Sequence, residues 1–234
     1  AGHGPKTLLA GVLCGFALFA ATNLQQIGLV TTDAGKTGFI TTFYIILVPV
    51  LGLFLGKKTG AVTWLAVAVA LGGLYCLCMK PGEMRVAPGD LLVLGCAFFF
   101  AVQILVVDYF VQKVDGVRLC CIQFAVDGVL SLLAAMILEK PDLRTVFLGW
   151  GPLLYCGVLS CGVAYTCQIL GQKHLHPTVA SLLMSLESAF AVLGGWLILH
   201  ERLTRRELLG CGLMLAAVLL VQLAPAKKEK APAA

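Results

Sequence analysis

Six stretches of this chain contain no Asp, Glu, Lys or Arg: 7–32, 37–56, 59–79, 91–107, 145–172 and 208–226. Each is close to or above the roughly 18 apolar residues that carry a helix across a hydrocarbon core. Two more stretches, 119–138 and 177–199, are as apolar but hold one acid each, Asp127 and Glu187. The chain therefore reads as an all-α integral membrane protein. It is a polytopic helix bundle of about eight spans, near 8–28, 36–55, 62–80, 90–110, 118–138, 147–170, 178–199 and 207–224. Charged residues make up 12% of the sequence, about half the share in a soluble domain. That is too few to cover a water-facing surface, which argues against a soluble enzyme.

The links between spans are short and rich in Pro, Gly and charge: Lys57-Lys58-Thr59-Gly60, Lys80-Pro81-Gly82-Glu83 running on to Pro88-Gly89-Asp90, and Glu139-Lys140-Pro141-Asp142. None can hold a soluble catalytic domain. The first span is too long for the apolar core of a cleaved leader, and no small-residue cleavage site follows it. Eight crossings put both termini on one face. Lys and Arg divide nine to eight between the faces, so the positive-inside rule gives little direction. The basic tail and Lys57-Lys58 lean towards cytoplasmic termini. The net charge of +5 is accounted for by bases at the membrane edges and calls for no nucleic acid.

A shift of 144 residues lays the second span on the seventh. Thr37 then meets Ser181, Thr41 meets Ser185, Tyr44 meets Ser188 and Val48 meets Val192, with Lys58 on Arg202 beyond. The spacing i, i+4, i+7, i+11 makes each set one stripe of a helix. Hydroxyl stripes are common close-packing seams in membranes; the matched pair also fits two helices facing a shared polar cavity. Five steps separate the spans, so they cross in opposite directions. Inverted repeats of this kind build many secondary transporters, with the substrate site near the midplane.

The run 181–191, SLLMSLESAFA, and the run 194–204, GGWLILHERLT, resemble the last repeat of EamA-type transporters of the drug/metabolite transporter superfamily. The runs 24–29, LQQIGL, and 33–50, DAGKTGFITTFYIILVPV, are similar to the corresponding part of the first repeat. The runs 89–92, GDLL, and 159–168, LSCGVAYTCQ, fit as well. The resemblance covers nearly the whole chain. It implies a ten-helix inverted-repeat transporter of which this chain matches helices three to ten, with Ala1 in the loop before the third. The division it implies is residues 1–80 for three spans of the first repeat, 81–89 for a linker, 90–224 for the five-span second repeat, and 225–234 for a disordered tail.

Glu187 lies near the middle of its span, where an acid costs roughly 2.5–3.5 kcal/mol on insertion scales. It must face protein or water, or be protonated. It shares a helix side with Ala180, Ala191 and Gly194, beside the serine stripe. It reads as a structural anchor, a proton carrier or a contact for a substrate amine. Asp127 continues an edge with Gln123 and Ser131 at i, i+4, i+8. That edge could bind a cation or coupling proton, or only hydrogen-bond a neighbouring helix. Asn23, Gln25 and Gln26 end the first span as Tyr165, Gln168 and Gln172 end the sixth, and a shift of 143 lays Gln25 on Gln168. Amides donate and accept, which suits a zwitterionic or mixed polar substrate; Gln103 has the same capacity. Interhelical bonding is the plain alternative for all of them.

Ten cysteines fall mostly inside apolar spans and read as small packing residues. His174 and His176 lack an evident third ligand, so neither a metal nor a cofactor is expected. No nucleotide-binding or hydrolase motif occurs. The expected function is a secondary transporter, an exporter of small metabolites such as amino acids or drugs, working by alternating access in a bacterial inner membrane. The expected substrate contacts are Thr41, Tyr44, Gln103, Gln168, Ser185 and Ser188. Proton coupling would fall to Glu187 or Asp127. Partners are the small molecule, the lipid bilayer and protons, with a homo-oligomer allowed. The competing classes are a non-transporting membrane scaffold, an intramembrane enzyme, and a truncated, inactive fragment.

Overall fold

The computed structural model describes residues 4–79, 87–138, 143–198, 200 and 204–223. Its eight long apolar helices are Gly4–Leu29, Ala34–Phe54, Ala61–Cys78, Pro88–Phe110, Gly116–Leu138, Trp150–Gln172, Pro177–Ile198 and Arg205–Leu223, called spans one to eight below. The sequence-derived bounds differ from these by a few residues. The largest single difference is the start of span one, at Gly4; span six begins late because a short helix, Leu143–Leu148, precedes it and Gly149 separates the two. The linker at 81–86, the loop at 139–142, Arg202 and the tail at 225–234 lie outside the described residues.

Local chemistry sets the ends of several spans. Pro88 opens span four, where its missing N–H costs nothing. The Asp90 carboxylate accepts the Ala87 N–H at 2.8 Å, closing the first turn. Thr204 and Glu207 form a reciprocal capping box: the Glu207 N–H donates to Thr204 Oγ1 at 3.2 Å, and the Thr204 N–H donates to Glu207 Oε2 at 2.7 Å. Span two ends at Gly56, whose φ of +76° reverses the chain. The Lys57 N–H then reaches the Gly52 carbonyl at 2.8 Å, a Schellman closure. This closure delivers Lys57 to an ion pair with Asp108 at the end of span four. At the opposite membrane face Asp90, at the start of span four, pairs with Lys36 of span two. Thr32 Oγ1 adds a hydrogen bond to Asp90 at 3.1 Å. Spans two and four are thus tied at both faces.

Glycine permits the closest helix contacts, as expected where no water drives association. Span one lies along spans four and five, and span three lies along span eight. A Cβ on Gly15 would fall 2.7 Å from the Gln123 carbonyl oxygen, and one on Gly210 would fall 2.8 Å from the Gly73 carbonyl oxygen. Under the 144-residue shift, Gly73 maps to Ala217 and Gly210 maps back to Ala66. Both alanines are fully buried in the same cluster. The seam between spans three and eight is therefore self-complementary, as antiparallel repeat mates require.

Two apolar clusters result. One joins spans two, three, four, seven and eight around Ile45, Val48, Leu74, Leu182 and Met214. The other joins spans one, four, five and six around Cys14, Val107, Leu119 and Ile169. Span four takes part in both.

Candidate functional site

Spans two and seven do not run as uninterrupted α-helices. Span two changes from Ala34–Thr41 to Tyr44–Phe54 across Thr42 and Phe43, and span seven changes from Pro177–Ser185 to Glu187–Ile198 across Leu186. The shift of 144 residues superposes Thr42 on Leu186, so the two interruptions are repeat mates. Each is a tightened turn. The N–H groups of Phe43, Ile45 and Ile46 bond three residues back at 2.9–3.0 Å, and that of Leu186 bonds the Leu183 carbonyl at 3.2 Å. Hydroxyls pull on the same carbonyl ladder: Thr42 Oγ1 donates to the Gly38 carbonyl and Ser185 Oγ to the Leu182 carbonyl, each at 2.7 Å. Such back-bonding bends helices.

Between these turns lies a cavity of about 710 Å³. Spans one, two, four, six and seven all contribute to its wall. All six expected substrate contacts line it: Thr41, Tyr44, Gln103, Gln168, Ser185 and Ser188. Glu187 lines it too. Asp127 does not; the structure keeps it on the edge facing span one. There Ser131 Oγ donates to Asp127 Oδ1 at 3.3 Å, and Asn23 Nδ2 approaches Ser131 Oγ at 3.4 Å. The wall is held by its own hydrogen bonds. Gln25 Nε2 donates to Thr41 Oγ1 at 3.1 Å, and Gln103 Nε2 donates to Gln123 Oε1 at 3.3 Å. Ser185 and Gln103 are nearly fully buried, whereas Glu187, Ser160, Ala164 and Ala191 are exposed at the cavity mouth.

Span six supplies a feature that sequence periodicity does not reveal. Residues Tyr155–Ala164 form a π-helical stretch. The Tyr165 N–H reaches back five residues to the Ser160 carbonyl. Wide turns of this kind recur at functional sites, and Ser160, Ala164 and Tyr165 all face the cavity. Phe100, Thr42 and Met184 complete parts of the wall that the stripe argument left out. Gln25 could have been assigned from its repeat mate Gln168. Gln172, the other late amide of span six, is buried away from the cavity, and its side-chain nitrogen and oxygen have no partner among the described residues.

The model of the EamA-like transporter family matches residues 87–223. An uncharacterized transporter of Archaeoglobus fulgidus is 29% identical over 215 residues, spanning 91% of this chain and 68% of that protein. The uncharacterized transporter YoaV of Bacillus subtilis is 23% identical over 198 residues, 82% of this chain and 68% of that protein. A solved crystal structure matches with a TM-score of 0.76 at 16% identity, covering 93% of this chain and 86% of that one, a likeness of fold. The chain belongs to the EamA-like transporter family, and it is a multi-pass membrane protein.

Proposed function

We propose that this member of the EamA-like family is a secondary transporter. It moves a small polar metabolite or drug by alternating access around the cavity between the two interrupted spans. The observation that carries this reading is convergence. Residues from five spans and from both repeat mates meet at two matched tightened turns, each near the middle of its span. Interrupted helices at corresponding positions of inverted repeats mark the binding site in many transporters. A scaffold has no use for a polar cavity, and the names carried by the similar proteins, uncharacterized transporters, favour transport over intramembrane catalysis.

Coupling to a proton gradient belongs to the same reading. Glu187 is the acid on the cavity wall, and Asp127, offered by the sequence, stands outside it. With the termini in the cytoplasm, the exposed mouth faces outward, and the direction we propose is export across the cell membrane.

The test uses the purified chain in liposomes. A panel of radiolabelled amino acids and amines is assayed for counterflow, with and without a pH gradient. The expected result is saturable counterflow of at least one compound, reduced tenfold or more by Ser185→Val. Accumulation driven by the pH gradient should be lost in Glu187→Gln and kept in Asp127→Asn. Unchanged coupling in both variants removes the proton from the mechanism. The absence of counterflow from a folded, monodisperse preparation removes the transporter reading for this chain.

A further inference from the structure

The cavity wall has a one-sided chemistry. Its only acidic side chain is Glu187, and no Lys, Arg or His lines it among the described residues. Three aromatic rings share the wall: Tyr44, Tyr165 and Phe100. Aromatic faces attract cations through their quadrupoles, most strongly where water is excluded. The hydroxyls add to the same bias. Thr42 and Ser185 direct their protons to backbone carbonyls, so each meets a ligand with lone pairs. A phosphate or carboxylate ligand would find one carboxylate and three π faces, with neutral amide and hydroxyl donors but no base in its favour among the described residues.

We infer that the cavity selects small organic cations carrying the charge on nitrogen, with Glu187 as counter-ion and Tyr44, Tyr165 and Phe100 as the aromatic wall. This rests on the transport reading for the place of the cavity and adds the ligand class. An intramembrane acid beside a water-accessible space is tolerated because its charge is either hydrated or paired. A ligand ammonium supplies the second condition when it displaces water. The substrates are then alkylamines, quaternary ammonium compounds, or amine-bearing metabolites whose remaining polar groups meet Gln103 and Gln168. Dicarboxylates and nucleotides are excluded.

Choline and its neutral isostere 3,3-dimethyl-1-butanol separate charge from shape. Acetate and methylphosphonate supply the anionic arm. Binding to the purified chain is followed by isothermal titration calorimetry and by thermal shift. Choline should bind about 30-fold more tightly than 3,3-dimethyl-1-butanol, the scale expected when a desolvated charge partner is present rather than absent. Glu187→Gln should abolish that preference. Tyr44→Phe, which keeps the ring, should preserve it, and this controls for a general disturbance of the fold. Equal binding of choline and its isostere, or tighter binding of either anion, overturns the inference. Counterflow of a neutral compound with no preference for cations overturns it while leaving the transporter standing. Glu187-dependent choline binding without any flux supports the site and counts against transport.

Discussion

Span seven changes character at Leu186, and span six changes at Tyr165. On the side of the chain termini, Thr178, Ser181, Leu182 and Ser185 of span seven are almost wholly buried, as are Ile169 and Gln172 of span six. Beyond the turns, Phe190 is 67% exposed and Leu197 66%, and on span six Tyr155 is 65% exposed. The same two helices are thus core at one end and periphery at the other. Side-chain size explains much of it. The buried half of span seven presents Thr, Ala and Ser, which let backbones approach, while the other half presents Phe190, Trp196, Leu197 and Ile198 outward. Glycines divide in the same way. Those of spans one, three and eight named above sit against neighbouring backbone, whereas Gly151, Gly157 and Gly194 have nothing within 4 Å of where a Cβ would stand. The contrast teaches that spans six and seven pack closely in their termini-side halves, as spans three and eight do along their seam. The far halves of spans six and seven pack loosely against the rest, and the cavity lies on the boundary.

The largest expected effect tests that division directly. Gly210→Val should destabilise the protein by about 3 kcal/mol or prevent folding, since the added atoms meet the Gly73 carbonyl and Leu77. Gly157→Ala should be neutral or stabilising by up to about 1 kcal/mol, because helical alanine replaces glycine in open space. Melting of each variant in detergent, read by size-exclusion monodispersity, compares them. Equal losses would erase the distinction between the two regions.

A smaller difference separates the two ion pairs. Asp90 receives Lys36, Thr32 and a backbone N–H, and both charged side chains are only 11–12% exposed. Asp108 receives Lys57 alone among the described residues, and that lysine side chain is 34% exposed. Asp90→Ala should therefore cost about 3 kcal/mol and Asp108→Ala about 1 kcal/mol or less. The thermal midpoints of the two variants give the order, and the reverse order would relocate the more rigid tie to the termini side.

The third comparison concerns the packed wall behind the cavity. Gln103→Leu leaves the buried Gln123 amide without its one partner and should cost about 1–2 kcal/mol. Replacing Gln123 by Leu as well should recover most of that loss, because no orphaned polar group remains. A double-mutant cycle in melting temperature reads the coupling; strict additivity would mean that the two amides are independent.

The eight spans were legible because charge is nearly absent from them, a signal that needs no periodicity. The cavity was legible through the repeat. Once Thr41 was laid on Ser185 and Gln25 on Gln168, the facing stripes followed from helical geometry. The tightened turns were not legible, since no proline or glycine sits at Thr42, Phe43 or Leu186, and Pro49 falls inside the following helix instead. The π-helical stretch was also silent, because a ten-residue widening leaves an all-apolar segment looking the same at any period. Asp127 illustrates the remaining limit. Its helical edge with Gln123 and Ser131 is real, but a wheel cannot say which neighbour that edge faces, and here it faces span one.

The two acids of span four also measure the membrane. Asp90 and Asp108 stand eighteen residues apart on one helix, about 27 Å at 1.5 Å per residue. Each is pinned to a lysine of the same partner span, so neither can slide along the bilayer normal without the other. That spacing is a few ångströms short of an average hydrocarbon core. A thicker bilayer must thin around the protein or draw an ion pair below its surface, at a modest cost per ångström. The two ties thus set a gauge of lipid thickness, and because spans two and four both line the cavity, chain length of the surrounding lipids becomes a variable that acts on its walls.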